Sequence, residues 1–375
     1  MKVVIGTSTP FHLVHLAREL SSSGHEVTVI GYMPKWKMKK YNLGDAKYIC
    51  LFWYLFPLSI TALQRFFPKI QRATTFLIMP LVDWLITKKM TKCDVFVGLS
   101  GVCVSSLKYA KSKYGALSIV DRGSAHVKSQ IELIEGIKEI KLPKLYISRE
   151  LEGYDIADKI VIPSIFAYNT FVDNNINKEK LFINNYGINL LRFYAEKKIL
   201  SKGKKINALF VGGWSFQKGV DIINKTLQKD FNLHVSHIGI YNGEHHTDSD
   251  NFKRIGYVPN DKLINYYNSF DVLLLPSRQD GFGMVILEAL ACGLPIITSA
   301  NTGGPDVKAK IDDKDSVIIM DSIDEIGLIK ALQKFRNKRV KLTSCELTDA
   351  DKEKYSWQSY GIRYSTFINS LKDEK

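Results

Sequence analysis

The sequence offers no cysteine framework. Its five cysteines, Cys50, Cys93, Cys103, Cys292 and Cys345, are scattered, odd in number and never spaced C-x-x-C. That spacing argues against a zinc ribbon or a disulfide scaffold and predicts reduced thiols in a cytoplasmic setting. Long apolar runs are missing too. One long charge-free stretch, Tyr48 to Gln64, is interrupted by Pro57, and a second apolar stretch, Thr74 to Thr87, contains Asp83. Neither matches the about 20 apolar residues of a membrane-spanning helix. The N-terminus runs into Lys2-Val3-Val4-Ile5, which reads as a core strand rather than as a secretory leader. No zinc-finger or RNP motif is present, so no nucleic-acid partner is expected.

What remains is an ordinary globular composition of unusual charge. A length of 375 residues, 45% of them hydrophobic, suits two domains with real cores. The net charge is +14 and it is uneven: positions 1–190 hold 25 Lys+Arg against 15 Asp+Glu, the remainder 27 against 23. A basic first half implies an anionic partner, either a diphosphate-bearing substrate or an anionic membrane face. Between the two apolar stretches, Arg65, Phe66, Phe67, Lys69 and Arg72 interleave aromatics with cations. Such a segment suits the membrane interface, giving a peripheral association with the inner face of the cell membrane. The alternative is that these are core helices covering a sheet.

Along the chain, short apolar strands alternate with helical periodicity. Val3-Val4-Ile5 is followed by a helix with Leu13, Leu16, Ala17 and Leu20 on one face, then by Ser21-Ser22-Ser23-Gly24 and a strand over Glu26 to Ile30. Further strands are expected at Val95–Val97, Leu117–Val120, Ile160–Ile162 and Leu181–Ile183. Glu196 to Lys205 is polar, basic and contains glycine, so it reads as a linker. A second series follows at Ala208–Val211, Leu233–Val235, Val272–Leu275, Ile296–Thr298 and Val317–Ile319. Two such series predict an α/β protein of two Rossmann-like doubly wound domains facing across a cleft. The expected boundaries are 1–195 and 206–354. An aromatic C-terminal helix, 355–372 (Trp357, Tyr360, Tyr364, Phe367), packs back on the first domain.

Two segments carry the chemistry. In the first, a strand ends at Phe210-Val211, Gly212 and Gly213 follow, and Lys218-Gly219 opens a helix. Paired glycines admit a ligand to the backbone, the helix start offers N–H donors, and Lys218 adds a full charge, which suits a diphosphate. The alternative is a tight turn with a solvated lysine. The second is Leu275 to Pro295. Arg278, Asp280, Gly281, Phe282 and Gly283 form a loop, and Glu288 lies just over one turn inside the helix starting near Met284. Loop glycines beside a helix start make an anion nest. A carboxylate at Asp280 suits sugar hydroxyls and one at Glu288 suits a ribose. The alternative is an N-cap acid plus a surface glutamate.

This second segment resembles the donor-binding E-x7-E signature of the GT-B-fold retaining glycosyltransferases of family 4, with Asp280 at the first acid and Glu288 at the second. Lys218-Gly219 resembles the family's phosphate-binding segment, Gly256-Tyr257-Val258 its base-contacting turn, and Ala300 to Pro305 the loop that follows. Phe11 to Val29 and Tyr186-Gly187-Ile188-Asn189 are similar to the family's first-lobe landmarks. The resemblance implies sugar transfer from a nucleotide-diphosphate donor to a glycan or lipid-linked acceptor, in cell-surface polysaccharide synthesis. It also implies retention of configuration and no metal or other cofactor. Gly213 stands where many relatives have Arg, so Arg278 or Arg122 is a candidate replacement cation. Asp280 is one methylene shorter than the usual Glu.

Val120 to His126 resembles an RGSxH segment of one branch. Here Arg122 is a candidate for phosphate, Asp121 or Ser124 for a helix cap, and His126 for an acceptor-side base, the alternative for His126 being a simple helix-end residue. Phe11, His12 and His15 start the first helix and are candidates for acceptor contact. Glu244 to Asp250 holds two histidines and a D-x-D, but adjacent histidines in a polar loop point apart, so no metal site is expected. The rival functions are a catalytically inactive nucleotide-sugar-binding module and a sugar-nucleotide epimerase of the same fold.

Overall fold

The computed structural model describes residues 1–59, 68–135, 142–196, 205–241, 250–338 and 347–373. Two sheets organise them. The first contains β1 (Lys2–Thr7), β2 (Glu26–Gly31), β3 (Lys47–Cys50), β4 (Val95–Leu99), β5 (Leu117–Asp121), β6 (Lys159–Ile162) and β7 (Leu181–Ile183), in the order β3-β2-β1-β4-β5-β6-β7. The second contains β8 (Ile206–Val211), β9 (Leu233–Ile238), β10 (Phe252–Gly256), β11 (Val272–Leu275), β12 (Ile296–Thr298) and β13 (Val317–Ile319), in the order β10-β9-β8-β11-β12-β13. All their pairings are parallel.

The inner strands follow from their sequences. Val3, Val4 and Ile5 of β1 and Val95, Phe96 and Val97 of β4 are buried, as expected where helices cover both faces of a parallel sheet. The helix Phe11–Ser22 buries Leu13, Leu16, Ala17 and Leu20, the stripe that its period demands. Gly24, at φ +84°, turns the chain back into β2. Both sheets have a strand order that runs one way from its first strand and then the other. These reversals fall between β1 and β4 and between β8 and β11. The strand ends beside such a reversal open the crevice in which doubly wound folds hold ligands.

Two strands lack an apolar signal. In β10, exposed Lys253 and Arg254 interrupt the run, and the strand lies at a sheet edge. At the other edge, β3 takes Tyr48–Cys50 from the charge-free stretch, and the helix Phe52–Ser59 takes the next part. Ile60–Gln64, Arg65, Phe66 and Phe67 lie outside the described residues, as does most of the linker. Asp83, inside the second apolar stretch, is fully buried in the helix Pro68–Lys89. It accepts the backbone N–H of Ser105 (2.6 Å) and Ser106 (2.9 Å) and the guanidinium of Arg149 (2.8 Å).

The C-terminal helix, Trp357–Asp373, lies against the helix Phe11–Ser22 of the first lobe. The helices meet at Gly361, where a Cβ would stand 2.1 Å from that of Glu19. His15 stacks on Trp357 at 4.1 Å, and Phe367 stacks on Phe182 at 3.9 Å. One hydrophobic core therefore runs from Val3 and Leu16, through Tyr360 and Tyr364, to Leu275 and Leu290.

Candidate active site

The second lobe presents two loops at the reversal of its sheet. After β8, Gly212 takes φ +144°, and its carbonyl accepts His237 Nε2 at 2.9 Å. Gly213 faces open space, since a Cβ there would touch nothing within 4 Å. A single turn, Phe216–Lys218, leads to Gly219 at φ +73°. A Cβ at Gly219 would lie 2.1 Å from the carbonyl oxygen of Pro276, so glycine alone allows the loop after β8 to sit against the loop after β11. The amide of Arg278 donates to Gln217 O at 2.9 Å and fixes that register.

Across this junction Lys218 Nζ forms an ion pair with Asp280, both groups keeping partial contact with solvent. Asp280 is itself held from behind, its amide donating to Asn301 O at 2.9 Å, and Gly303 N–H does the same to Phe282 O at 2.8 Å. Glu288, on the helix Val285–Ala291, is buried and accepts the hydroxyl of Tyr267 at 2.7 Å. Burial pushes its carboxyl above the ordinary carboxylate range, and the Tyr267 hydroxyl and the Arg192 charge offset part of that rise.

The first lobe closes on these loops. A Cβ at Gly281 would lie 2.1 Å from Gly123 O, and Ser164 Oγ donates to Gly281 O at 2.5 Å. Tyr186 bridges the two sides, its ring 4.8 Å from His12 and 5.7 Å from Phe282. Its phenol is pushed well up by burial and then by the carboxylates of Asp121 and Asp280, one from each lobe. Phe11 stands at the rim, half exposed, 5.9 Å from Tyr186. The second lobe's Asp306 adds a further tie by accepting Ile165 N–H and Asn185 Nδ2, each at 3.1 Å.

The structure thus brings together Gly212, Gly213, Lys218, Asp280, Gly281, Phe282, Gly283, Phe11 and His12. Glu288 is buried against Tyr267, and several other candidates are placed differently. Arg278 is not presented to an anion: it grips Asp221 with both terminal nitrogens (2.6 and 2.8 Å) and stacks over Phe216. Arg122 turns inward to Glu150, Tyr146 and Gln130 and is buried. His126 does not face the cleft but packs 5.0 Å from both Tyr154 and Phe171, where burial, Arg122 and Lys128 lower its pKa to about 4. Val258 packs on the second lobe's core just after Gly256, which ends β10 at φ +93°.

His12 lies 2.5 Å from Asp121 Oδ1, both buried, so Asp121 is a partner of His12 and Ser124 accepts from Gln130 rather than capping a helix. His15, stacked on Trp357, is lowered to about 3 by burial, Arg18 and His12. Sequence reasoning gave no role to Tyr186, Ser164, Tyr267 or Asp306. Each works through a contact with a remote part of the chain, which no local pattern signals. Among the described residues no group of three or more His, Cys, Asp or Glu is placed to hold a metal ion. Glu244–Ser249 lie outside them.

Residues 193–345 match the family model described as glycosyl transferases group 1. The second lobe is thus similar to the glycosyl transferases group 1. The chain is similar to an uncharacterized 41.2 kDa protein in the cps region of Klebsiella pneumoniae, 30% identical over 44% of this chain and 48% of the relative. A capsular polysaccharide biosynthesis glycosyltransferase, CapM of Staphylococcus aureus, is 25% identical over 46% of this chain and 51% of the relative. The chain spans about half the length of the curated relatives it matches. In fold it is similar to the Anabaena HepE protein in complex with UDP, with a TM-score of 0.66 at 11% identity over 99% of this chain and 100% of the other. The two-lobed architecture is the GT-B fold.

Proposed function

We propose that this chain transfers a sugar from a nucleotide-diphosphate donor to a glycan or lipid-linked acceptor in cell-surface polysaccharide synthesis, with retention of configuration and without a metal ion. The observation that carries this reading is the Lys218–Asp280 pair at the sheet reversal, beside the open backbone of Gly213 and against the Gly123 loop of the other lobe. Sugar transfer develops negative charge on the departing diphosphate, and a fixed cation in a crevice shielded from water stabilises that charge strongly. Lys218 fills this role, and Asp280 both aims the ammonium and accepts hydroxyls of the donor sugar. Glu288 takes the ribose hydroxyls, with Tyr267 fixing the carboxylate. The ordered contact of Gly281 with Gly123 keeps water from the reacting carbon and so limits hydrolysis.

Arg122 and Arg278 are already paired, so the cation that Gly213 lacks is not replaced by either in this arrangement. A nucleotide-bearing donor is supported by the HepE complex with UDP, and polysaccharide synthesis by the capsular relative. The outer face of the first lobe supports a lipid-linked acceptor. Trp36, Trp53 and Trp84 are each more than half exposed, with Lys88 and Lys89 over the rings of Trp84 and Tyr54.

The test is a thermal-shift screen of UDP-, GDP-, ADP- and CDP-sugars, followed by transfer to polyprenyl-linked and soluble glycans. One nucleotide sugar should raise the melting temperature and be consumed only when an acceptor is present. Consumption without an acceptor, yielding an epimerised sugar, contradicts the reading.

A further inference from the structure

Behind the crevice, on the side where the C-terminal segment crosses between the lobes, lies a cavity of about 360 Å³ lined by Asn185, Lys310, Lys354, Tyr355, Ser359, Ile362 and Arg363. None of these residues belongs to the donor crevice. Three cations meet here, and among the described residues two of them donate their hydrogen bonds to neutral oxygens. Lys310 Nζ donates to Asn185 Oδ1. Arg363 donates to Asn184 Oδ1 (2.8 Å), Lys354 O (3.0 Å) and Asn185 O (2.7 Å). Lys354 alone has an acid, Asp351 at 3.0 Å. The acid beside Lys310, Asp306, already receives Ile165 N–H and Asn185 Nδ2.

A guanidinium has five N–H donors and an ammonium three, so each cation keeps donors for a ligand in the cavity. Charges of one sign crowded in a concave site draw an anion, and burial holds the Arg363 guanidinium below its usual range, the direction that an anion would reverse. A tetrahedral dianion accepts from several directions at once, which suits cations on three walls. The volume sits at the low end of about 300–1,000 Å³ for ligand pockets, which suits a small phosphate ester.

We propose that this cavity binds a small phosphate-bearing anion, separate from the donor, and that the anion ties the two lobes and the crossing helix together. Its walls come from the segment after β7, from the second-lobe helix Gly304–Lys310 and from the crossing segment, so an occupant favours the arrangement in which they converge.

Calorimetric titration at low ionic strength tests it, with inorganic phosphate and glycerol 3-phosphate as separate probes, on the full chain and on Lys310→Gln, Lys354→Gln and the double variant. Both lysines are exposed, so the variants should fold, and their melting temperatures check that. At least one probe should bind saturably, tenfold or more weakly in each variant, and remain bound when a nucleoside diphosphate is added. Binding of the ester alone, or of both probes, or of phosphate alone tells which phosphate the cavity takes. No binding by either probe overturns the proposal. So does binding unchanged in the double variant, or displacement by a nucleoside diphosphate, which places the anion in the donor crevice. Because donor binding is read separately, a failure here leaves the transfer reading standing, and the reverse.

Discussion

Glu288 shows how far a local motif can be read. Its place eight residues after Asp280 was visible in the sequence, and so was Lys218 beside its glycines, because each motif is contiguous. Its chemical state was not visible, because Tyr267 and the apolar surroundings come from other segments. With its carboxyl raised by burial, Glu288 loses its charge at a higher pH than an ordinary glutamate does. Hydroxyls of a ribose bond the charged form more strongly. Donor affinity should therefore weaken as pH falls, beginning above the usual carboxylate range. Glu288→Gln should bind weakly and with a flat pH dependence, measured as donor Kd by calorimetry. A wild-type profile in the variant contradicts the assignment. Arg122 and His126 were misread for the converse reason: Glu150, Tyr154 and Phe171, which draw them inward, lie on helices distant in sequence.

At the scale of elements, the inner strands were legible because each is a short apolar run bounded by turns. The edge strand β10 was not, since one face of it meets water and its polar residues break the run. The loops after β5 and β11 could be placed at strand ends, but their contact could not be foreseen. That contact makes a sharp prediction. Gly281→Ala puts a methyl group onto the Gly123 carbonyl, so the lobes must part at this point. Donor binding, which needs mainly the second lobe, should persist within a few fold. Turnover should fall about a hundredfold, as a displacement of about 1 Å in a reacting geometry can cause. Steady-state kinetics with a parallel binding titration separates the two, and unchanged kcat contradicts the role given to lobe contact.

For the whole molecule, the two-domain pattern and the tail helix were readable from the alternation of strands and the aromatic spacing. How the lobes join was not, because a shared core and a Gly361–Glu19 approach are properties of packing. The outer face of the first lobe joins exposed Trp53 and Trp84 to Lys88 and Lys89. The chain should sediment with vesicles rich in anionic lipid and be released as salt rises, since such attraction is screened beyond about 10 Å at 0.1 M. Trp53→Ser with Trp84→Ser should weaken it. Equal sedimentation with neutral vesicles contradicts a charge-led contact. No helix among the described residues is long and apolar enough to cross a membrane.

The most direct test of the central claim uses the donor identified by the screen and the Lys218→Ala variant, with turnover and affinity measured side by side. A cation that stabilises the departing diphosphate is worth about 2.7–4 kcal/mol when removed from such a site, so turnover should drop by about 10²–10³ in a protein that still folds. Turnover equal to wild type, or a chain that binds no nucleotide sugar at all, would contradict it.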